Sequence, residues 1–315
     1  MSQKVKVAVV QAGGNCFDKS AMLDKFKRLA GEAAAQGAKL AVFPEAFIGG
    51  YPKGLDFGMR LGMRSEAGRD DFLRYANSSV DLKDQHQGSD LYQLCQVAKD
   101  NALNITVGVI EKDGGTLYCT AVYLGADGVY LGKHRKLMPT ALERGVWGQG
   151  DGSTITVVNS EIGKIGGALC WENRMPLLRT ALYAKGVQLY CAPTVDDRDN
   201  WIPSMQHIAQ EGRCFVLSSC QYLTRGDAPD DYDCIQGDDP NEVLIRGGSC
   251  IVDPFGNILA GPIYNEEGVV IAEVDLDQIT RGQYDMDVVG HYARPDVFDL
   301  RVNEAEQRPV KFYKD

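Results

Sequence analysis

No uninterrupted apolar run in the sequence approaches the roughly 20 residues needed to cross a bilayer. The opening stretch MSQKVKVAVVQAG passes at once into a period-2 pattern. It reads as a first strand, not a signal peptide, and the default is a soluble, cytoplasmic protein. Positive charge is in deficit: 33 Lys and Arg stand against 43 Asp and Glu, for a net charge of −10. Binding nucleic acid without sequence preference requires a basic surface that displaces counterions from phosphates. Nucleic acid is therefore not expected as a partner, and neither is an anionic membrane. No CxxC pair occurs among the nine cysteines, an odd number. Without a secretory signal, this argues against a disulfide framework and against a zinc site. The patterns GxxxxGKS/T, HExxH and GxSxG are missing, as is GxGxxG after the first strand. The usual signatures of phosphate loops, zinc proteases, serine hydrolases and dinucleotide binding are thus lacking. No cofactor and no metal is implied.

What is present suits one elaborate domain spanning 1–315. The chain has 315 residues, 44% of them hydrophobic and 24% charged, enough for a large core without disorder. Segment 5–11 alternates as a strand. Met22, Leu23, Phe26, Leu29, Ala30, Ala33 and Ala34 recur at helical spacing over 19–36, and Gly37 closes the helix. KLAVF, ending at Pro44, is apolar enough for a strand buried on both faces. Residues 56–88 read as a loop with helical pieces. A helix is predicted over 89–103 from an N-cap at Ser89 or Asp90, then a strand at ITVGVIE. LYCTAVYLGADGVYLGKHRK holds two strands joined at Ala126-Asp127-Gly128, a strong hairpin signal. After a loop over 139–154, strands are predicted near 155–158, 162–169, 187–192 and at CFVLSSC, with helices near 176–185 and 201–212. SCIVDPFGNILAG forms a second hairpin turning at Phe255-Gly256-Asn257, and VVIAEVD a last strand before a short helix and an irregular tail. Interleaved strands and helices with some hairpins predict a layered α/β fold with mixed sheets. The apolar helices at 176–185 and 201–212 need cover from a second layer or a second subunit.

Among the cysteines, Cys170 has the most reactive setting. IGKIGGALCWENRMPLLR runs strand, Cys, tight turn, helix, which puts the thiol at the carboxyl end of a strand. A helix N-terminus would lower its pKa. Gly166 and Gly167 permit close packing, and the Trp171 N–H lies beside the sulfur as a candidate oxyanion donor. A buried structural cysteine is the competing reading. Cys119, Cys191 and Cys214 lie in apolar strands and Cys95 in a helical pattern, while Cys16 and Cys234 sit in loops with no base nearby. His134, at a strand end, and His207, in an amphipathic helix, read as surface or core residues. Glu45 follows a buried strand directly, so a charge is delivered to a sheet end, where ligands of α/β proteins collect. Lys136 ends another strand beside Leu137-Met138-Pro139, an enclosed setting in which an ammonium would stabilise a neighbouring thiolate and carboxylate. Lys133 reads as part of a solvated basic face.

Together PEAF, HRKLMPT and LCWENRMPLLR, in that order and spacing, resemble the Glu-Lys-Cys triad of the nitrilase superfamily. The resemblance covers nearly the whole chain and extends to the tail GHYARPDVF. It implies an αββα sandwich associating as αββα–αββα dimers or larger homo-oligomers, with 176–185 and 201–212 as candidate interface helices. In the family pattern Glu45, Lys136 and Cys170 are catalytic, and Glu143 in ALERGVWGQGDG orients the lysine. CWEN followed by MPLLR resembles the nitrilase branch, which implies hydrolysis of a nitrile by water through a Cys thioimidate and acyl-enzyme. An amidase, a carbamoylase, a cyanide-converting enzyme or an inactive assembly module are the rivals. Tyr51, Trp147 and Trp171 flank the motifs, as core packing or as pocket lining. The acidic stretch 227–242 reads as a solvated surface segment, with a lid or an assembly contact as the alternative.

Overall fold

A computed structural model describes residues 4–313. In chain order the elements are β1 (Lys4–Gln11), α1 (Lys19–Ala35), β2 (Leu40–Val42), the short pair β3 (Met59–Arg60) and β4 (Met63–Arg64), α2 (Glu66–Asn77) and α3 (Asp90–Asp100). Then come β5 (Asn104–Asp113), β6 (Thr116–Leu124), β7 (Tyr130–Arg135), β8 (Val157–Ser160), β9 (Gly163–Gly167) and α4 (Pro176–Ala184). The chain continues with β10 (Leu189–Thr194), α5 (Trp201–Gly212), β11 (Phe215–Cys220), β12 (Tyr222–Thr224) and β13 (Val243–Val252). It closes with β14 (Ile258–Tyr264), β15 (Gly268–Asp275) and α6 (Asp277–Gln283).

Two mixed sheets result. One has the order β15-β1-β2-β5-β6-β7, the other β12-β13-β11-β10-β9-β8 with β14 also paired to β13. β1, β2 and β5 run parallel, as do β9, β10 and β11, and the outer pairings are antiparallel. The alternation along each central strand explains the layering. Val5, Val7 and Val9 face Leu189, Cys191, Phe215 and Leu217 in a core between the sheets. Ala8 and Val10, on the opposite face of β1, pack with Phe26 and Leu29 of α1 and with Leu91 and Leu94 of α3. Tyr190, Ala192 and Val216 take Leu178 and Leu182 of α4 and Trp201, Met205 and Ile208 of α5. Strands buried on both faces have no polar side, which is why their sequences read as continuous apolar runs. The architecture is the αββα sandwich.

Most expected elements lie where the periodicity put them. Ser89 caps α3, its hydroxyl accepting from Tyr92 N at 3.2 Å, and Asp127 Oδ1 accepts from Val129 N in the first hairpin. β12 was not expected, and it pairs with the start of β13. Lys133 departs from the solvated face expected of it, since its ammonium meets the buried Glu111 carboxylate at 2.5 Å. Among the described residues no helix is long and apolar enough to cross a membrane.

Candidate active site

Glu45 lies just past the end of β2, fully buried. Its backbone is clamped from two sides. A Cβ on Gly108 of β5 would lie 2.2 Å from Pro44 O and 2.7 Å from Glu45 Cα, so only glycine lets the strand approach this closely. Gln221 Nε2 donates to Glu45 O at 2.7 Å. Glu45 Oε1 accepts from Lys136 Nζ at 2.6 Å and from Cys119 Sγ at 3.5 Å. Oε2 is buried without a hydrogen-bond partner. Burial pushes the carboxyl above the usual carboxylate range, against the opposing pull of the Lys136 charge.

Lys136 follows β7 and is as buried as an aliphatic core residue. Its amide donates to Cys119 O and its carbonyl accepts from Gly150 N, both at 2.8 Å. The ammonium reaches a second carboxylate, Glu143 Oε2, at 2.8 Å. Burial alone would pull this ammonium down, but the Glu45 charge and other anions around it hold it well above its ordinary value. Glu143 stands on a helical turn, Ala141–Gly145, where its Oε2 also accepts from Thr140 N at 2.6 Å. Tyr51 donates its hydroxyl to Glu143 Oε1 at 2.9 Å.

Cys170 opens a five-residue 3-10 turn, Cys170–Arg174, three residues past the end of β9. Its φ of +50° is left-handed, as is that of Ala46 beside Glu45, also +50°, and that of Ala141, +47°. Left-handed non-glycine residues cost on the order of 1–3 kcal/mol and cluster where function over-determines the backbone. Asn173 Nδ2 pins the turn by donating to Ala168 O at 2.9 Å and to Cys170 O at 2.8 Å. Gly167 packs so tightly on β10 that a Cβ would lie 1.8 Å from Cys191 O. Thr194 donates to Cys170 Sγ at 3.4 Å.

The expectation of a lowered thiol pKa is overturned. Burial pushes the Cys170 thiol up, and the Glu45 charge adds to that, against the smaller pull of Lys136 and Thr194. The turn that begins at Cys170 is short, and α4 starts only at Pro176. Its dipole does not offset desolvation. Burial thus favours the thiol over the thiolate at Cys170.

A cavity of about 370 Å³ is lined by Tyr51, Leu55, Leu142, Glu143, Val146, Trp147 and Ile235, among others. Tyr51 and Trp147 meet edge to face at 5.8 Å between ring centres, and the Lys136 ammonium lies 5.4 Å from the Trp147 ring centre. Glu45, Lys136, Cys170 and Trp171 are not among the residues lining this cavity. Trp171 stands 40% exposed, its Nε1 donating to Asp196 Oδ2 at 2.8 Å under the Arg198 guanidinium. The structure therefore joins Glu45, Lys136, Glu143, Tyr51 and Trp147 in one cluster, and it pairs the Trp171 indole with Asp196 and Arg198.

The acidic stretch 227–242 is only partly the surface segment expected. Its aspartates are largely exposed, but Tyr232 and Cys234 are buried. The Tyr232 hydroxyl donates to Lys53 O at 2.8 Å, and Ile235 lines the cavity. Thr194, Gln221 and Cys119 escaped the sequence reading because nothing local marks them; each is a short polar or thiol group in an apolar strand or just past its end. All nine cysteines are free. Among the described residues, no group of three or more His, Cys, Asp or Glu side chains is arranged to hold a metal.

Known proteins resemble this chain in sequence and in fold. A family model described as carbon-nitrogen hydrolase matches residues 6–284. The chain is 54% identical to the "Aliphatic nitrilase" of Sinorhizobium fredii (strain HH103), with 98% of each chain covered. It is 50% identical to "Nitrilase 2" of Arabidopsis thaliana, covering 98% of this chain and 91% of that one. Saccharomyces cerevisiae Nit3, a member of branch 10 of the nitrilase superfamily, shares the fold with a TM-score of 0.71 at 23% identity, covering 92% of this chain and 97% of that one. The Caenorhabditis elegans NitFhit protein superposes with a TM-score of 0.74 at 19% identity, over 98% of this chain and 69% of that one.

Proposed function

Because this chain belongs to the carbon-nitrogen hydrolase family and groups there with nitrilases, we propose that it hydrolyses an organic nitrile to the carboxylic acid and ammonia, with Cys170 as nucleophile. The observation that carries this reading is the Glu45–Lys136–Glu143 cluster, in which Glu45 retains one carboxylate oxygen without a partner and interacts with the Cys170 side chain, itself on a left-handed backbone.

Glu45 takes the thiol proton as Cys170 Sγ attacks the nitrile carbon, and with help from Lys136 that proton passes to the nitrogen, which gives a thioimidate and frees the Glu45 carboxylate. Lys136 stabilises the charge developing on nitrogen. Water, deprotonated by Glu45, adds to the thioimidate carbon, and ammonia leaves a thioester. A second water releases the acid and returns the proton to sulfur. Two waters are consumed for each nitrile. Glu143 and Tyr51 hold Lys136 on line. The cavity lined by Leu55, Leu142, Val146 and Ile235 together with Tyr51 and Trp147 suits an apolar substituent. Trp171 remains a candidate only through its backbone N–H beside the sulfur.

Residues 1–315 are read as one domain and the protein as a homodimer or larger homo-oligomer. Exposed Leu177 of α4 with Tyr292 and Phe298 beside a groove of about 850 Å³ supports association on that face. Nine free thiols suit a reducing, cytoplasmic setting. A panel of matched nitriles, amides and cyanide, with acid, amide and ammonia quantified, tests the activity. Nitriles should be turned over fastest, and mass spectrometry should capture a covalent adduct on Cys170. Cys170→Ala with undiminished nitrile turnover, or amide turnover above that of nitriles, would overturn the reading.

A further inference from the structure

A second buried ionic pair lies behind the first and takes no part in the steps above. His134 and Glu172 are both fully enclosed, with His134 Nε2 3.1 Å from Glu172 Oε2. His134 Nδ1 lies 2.9 Å from Thr154 O. A carbonyl only accepts, so Nδ1 carries a proton, and the contact between Nε2 and the carboxylate requires one more between them. The remaining capacity of Glu172 goes to backbone: Oε1 accepts from Leu137 N at 2.6 Å and Oε2 from Leu169 N at 3.0 Å.

The placement of these contacts in the chain matters. His134 lies in β7, an edge strand of the first sheet, where it pairs with Ala121. Glu172 lies in the turn that follows β9 of the second sheet. Leu137 is the residue after Lys136, and Leu169 is the residue before Cys170. One carboxylate therefore grips the chain on both sides of Lys136 and immediately ahead of Cys170. No other polar side chain described above bridges these two segments.

We infer that His134 and Glu172 are positioning residues that set the distance between Lys136 and Cys170 across the gap between the sheets. The inference rests on Lys136 and Cys170 being the reacting pair. The histidine orients and charge-matches the carboxylate, and the carboxylate holds the two backbones. Neither touches the substrate. A displacement of about 1 Å in such a frame costs on the order of 100-fold in rate, so the pair acts on the chemical step and leaves binding alone.

Two conservative substitutions separate this role from packing. In His134→Gln the amide nitrogen reaches the place of Nε2 and keeps the bond to Glu172. In His134→Asn it reaches the place of Nδ1, keeps the bond to Thr154 O and abandons Glu172. On the full chain, His134→Asn should lower kcat about 100-fold with KM within about 3-fold, and His134→Gln should retain at least about a tenth of kcat. Iodoacetamide labelling of Cys170, followed by mass spectrometry, should slow in His134→Asn and not in His134→Gln. Glu172→Gln, which has one acceptor oxygen for two backbone donors, should match His134→Asn. The double variant should be no worse than the poorer single one. Equal losses in His134→Asn and His134→Gln, a loss carried by KM, or additive losses in the double variant would overturn the inference. If His134→Asn does not fold, Glu172→Gln against His134→Gln decides by the same criteria. If the unmodified protein turns over no nitrile, the functional reading fails, and the labelling rates still decide this one.

Discussion

His134 and Lys136 lie two residues apart, both fully buried and each meeting a glutamate, yet the two pairs are finished differently. Around Glu172 both oxygens and both imidazole nitrogens are engaged. Around Glu45 one oxygen is crowded by Lys136 and Cys119 while the other has no partner. A fully satisfied buried network rigidifies its surroundings, whereas a buried acceptor left open costs roughly 1–3 kcal/mol and persists where function needs it. On the proposed reading, a glutamate beside a basic side chain thus serves as a strut in one place and as a base in the other. The difference lies in what remains unpaired.

That contrast can be broken most sharply at Glu45. Glu45→Gln keeps the volume and an acceptor for Lys136 but removes the base. It should lower kcat about 10²- to 10⁴-fold in steady-state assays, while Cys170 remains present in intact mass spectra. Next in size is Gly108→Ala. The new methyl meets the Pro44 and Glu45 backbone, so stability should fall by about 1–3 kcal/mol in urea unfolding and kcat should fall with it, because the clash displaces the base itself. A variant as active and stable as the parent would show that β5 does not hold Glu45 in place.

The pH profile sharpens the comparison further. In the proposed mechanism Glu45 must be ionised to receive the thiol proton, and its carboxyl is pushed above the ordinary 4.5, chiefly by burial. Protonation therefore switches the enzyme off as pH falls, and the acid limb of kcat/KM should lie above 4.5. Lys136 is held above its ordinary 10.5 although burial opposes it. Loss of its proton should therefore produce no alkaline limb below 10.5. An acid limb at or under 4.5 would assign the base elsewhere. The smallest effect is expected at Trp171. Since its indole faces Asp196 and Arg198 at the surface, Trp171→Phe should change KM by no more than about 2-fold, within about 0.5 kcal/mol. A larger shift in KM would return Trp171 to the substrate site.

The linear chain carried the period of its elements and the chemistry of its motifs. Residues 4–11, 19–35 and 201–212 form the strand and helices that apolar spacing assigns, because a half-buried helix or a doubly buried strand writes its period into adjacent residues. Glu45, Lys136 and Cys170 stood out because each closes or follows an apolar run within a recognisable motif, and Glu143 through the family pattern alone. Other features depend on contacts between segments far apart in sequence. Gln221 reaches Glu45 O across 176 positions, and Thr194 reaches Cys170 across 24. His134 looked like any core or surface histidine until Glu172 stood opposite it. The direction of the Cys170 pKa shift was misread for the same reason. Local sequence shows a helix start, which favours thiolate, but only the packed structure shows how completely the sulfur is removed from water. Propensity and motif chemistry are properties of neighbours in the chain, whereas burial, charge pairing and the one unpaired oxygen are properties of neighbours in space.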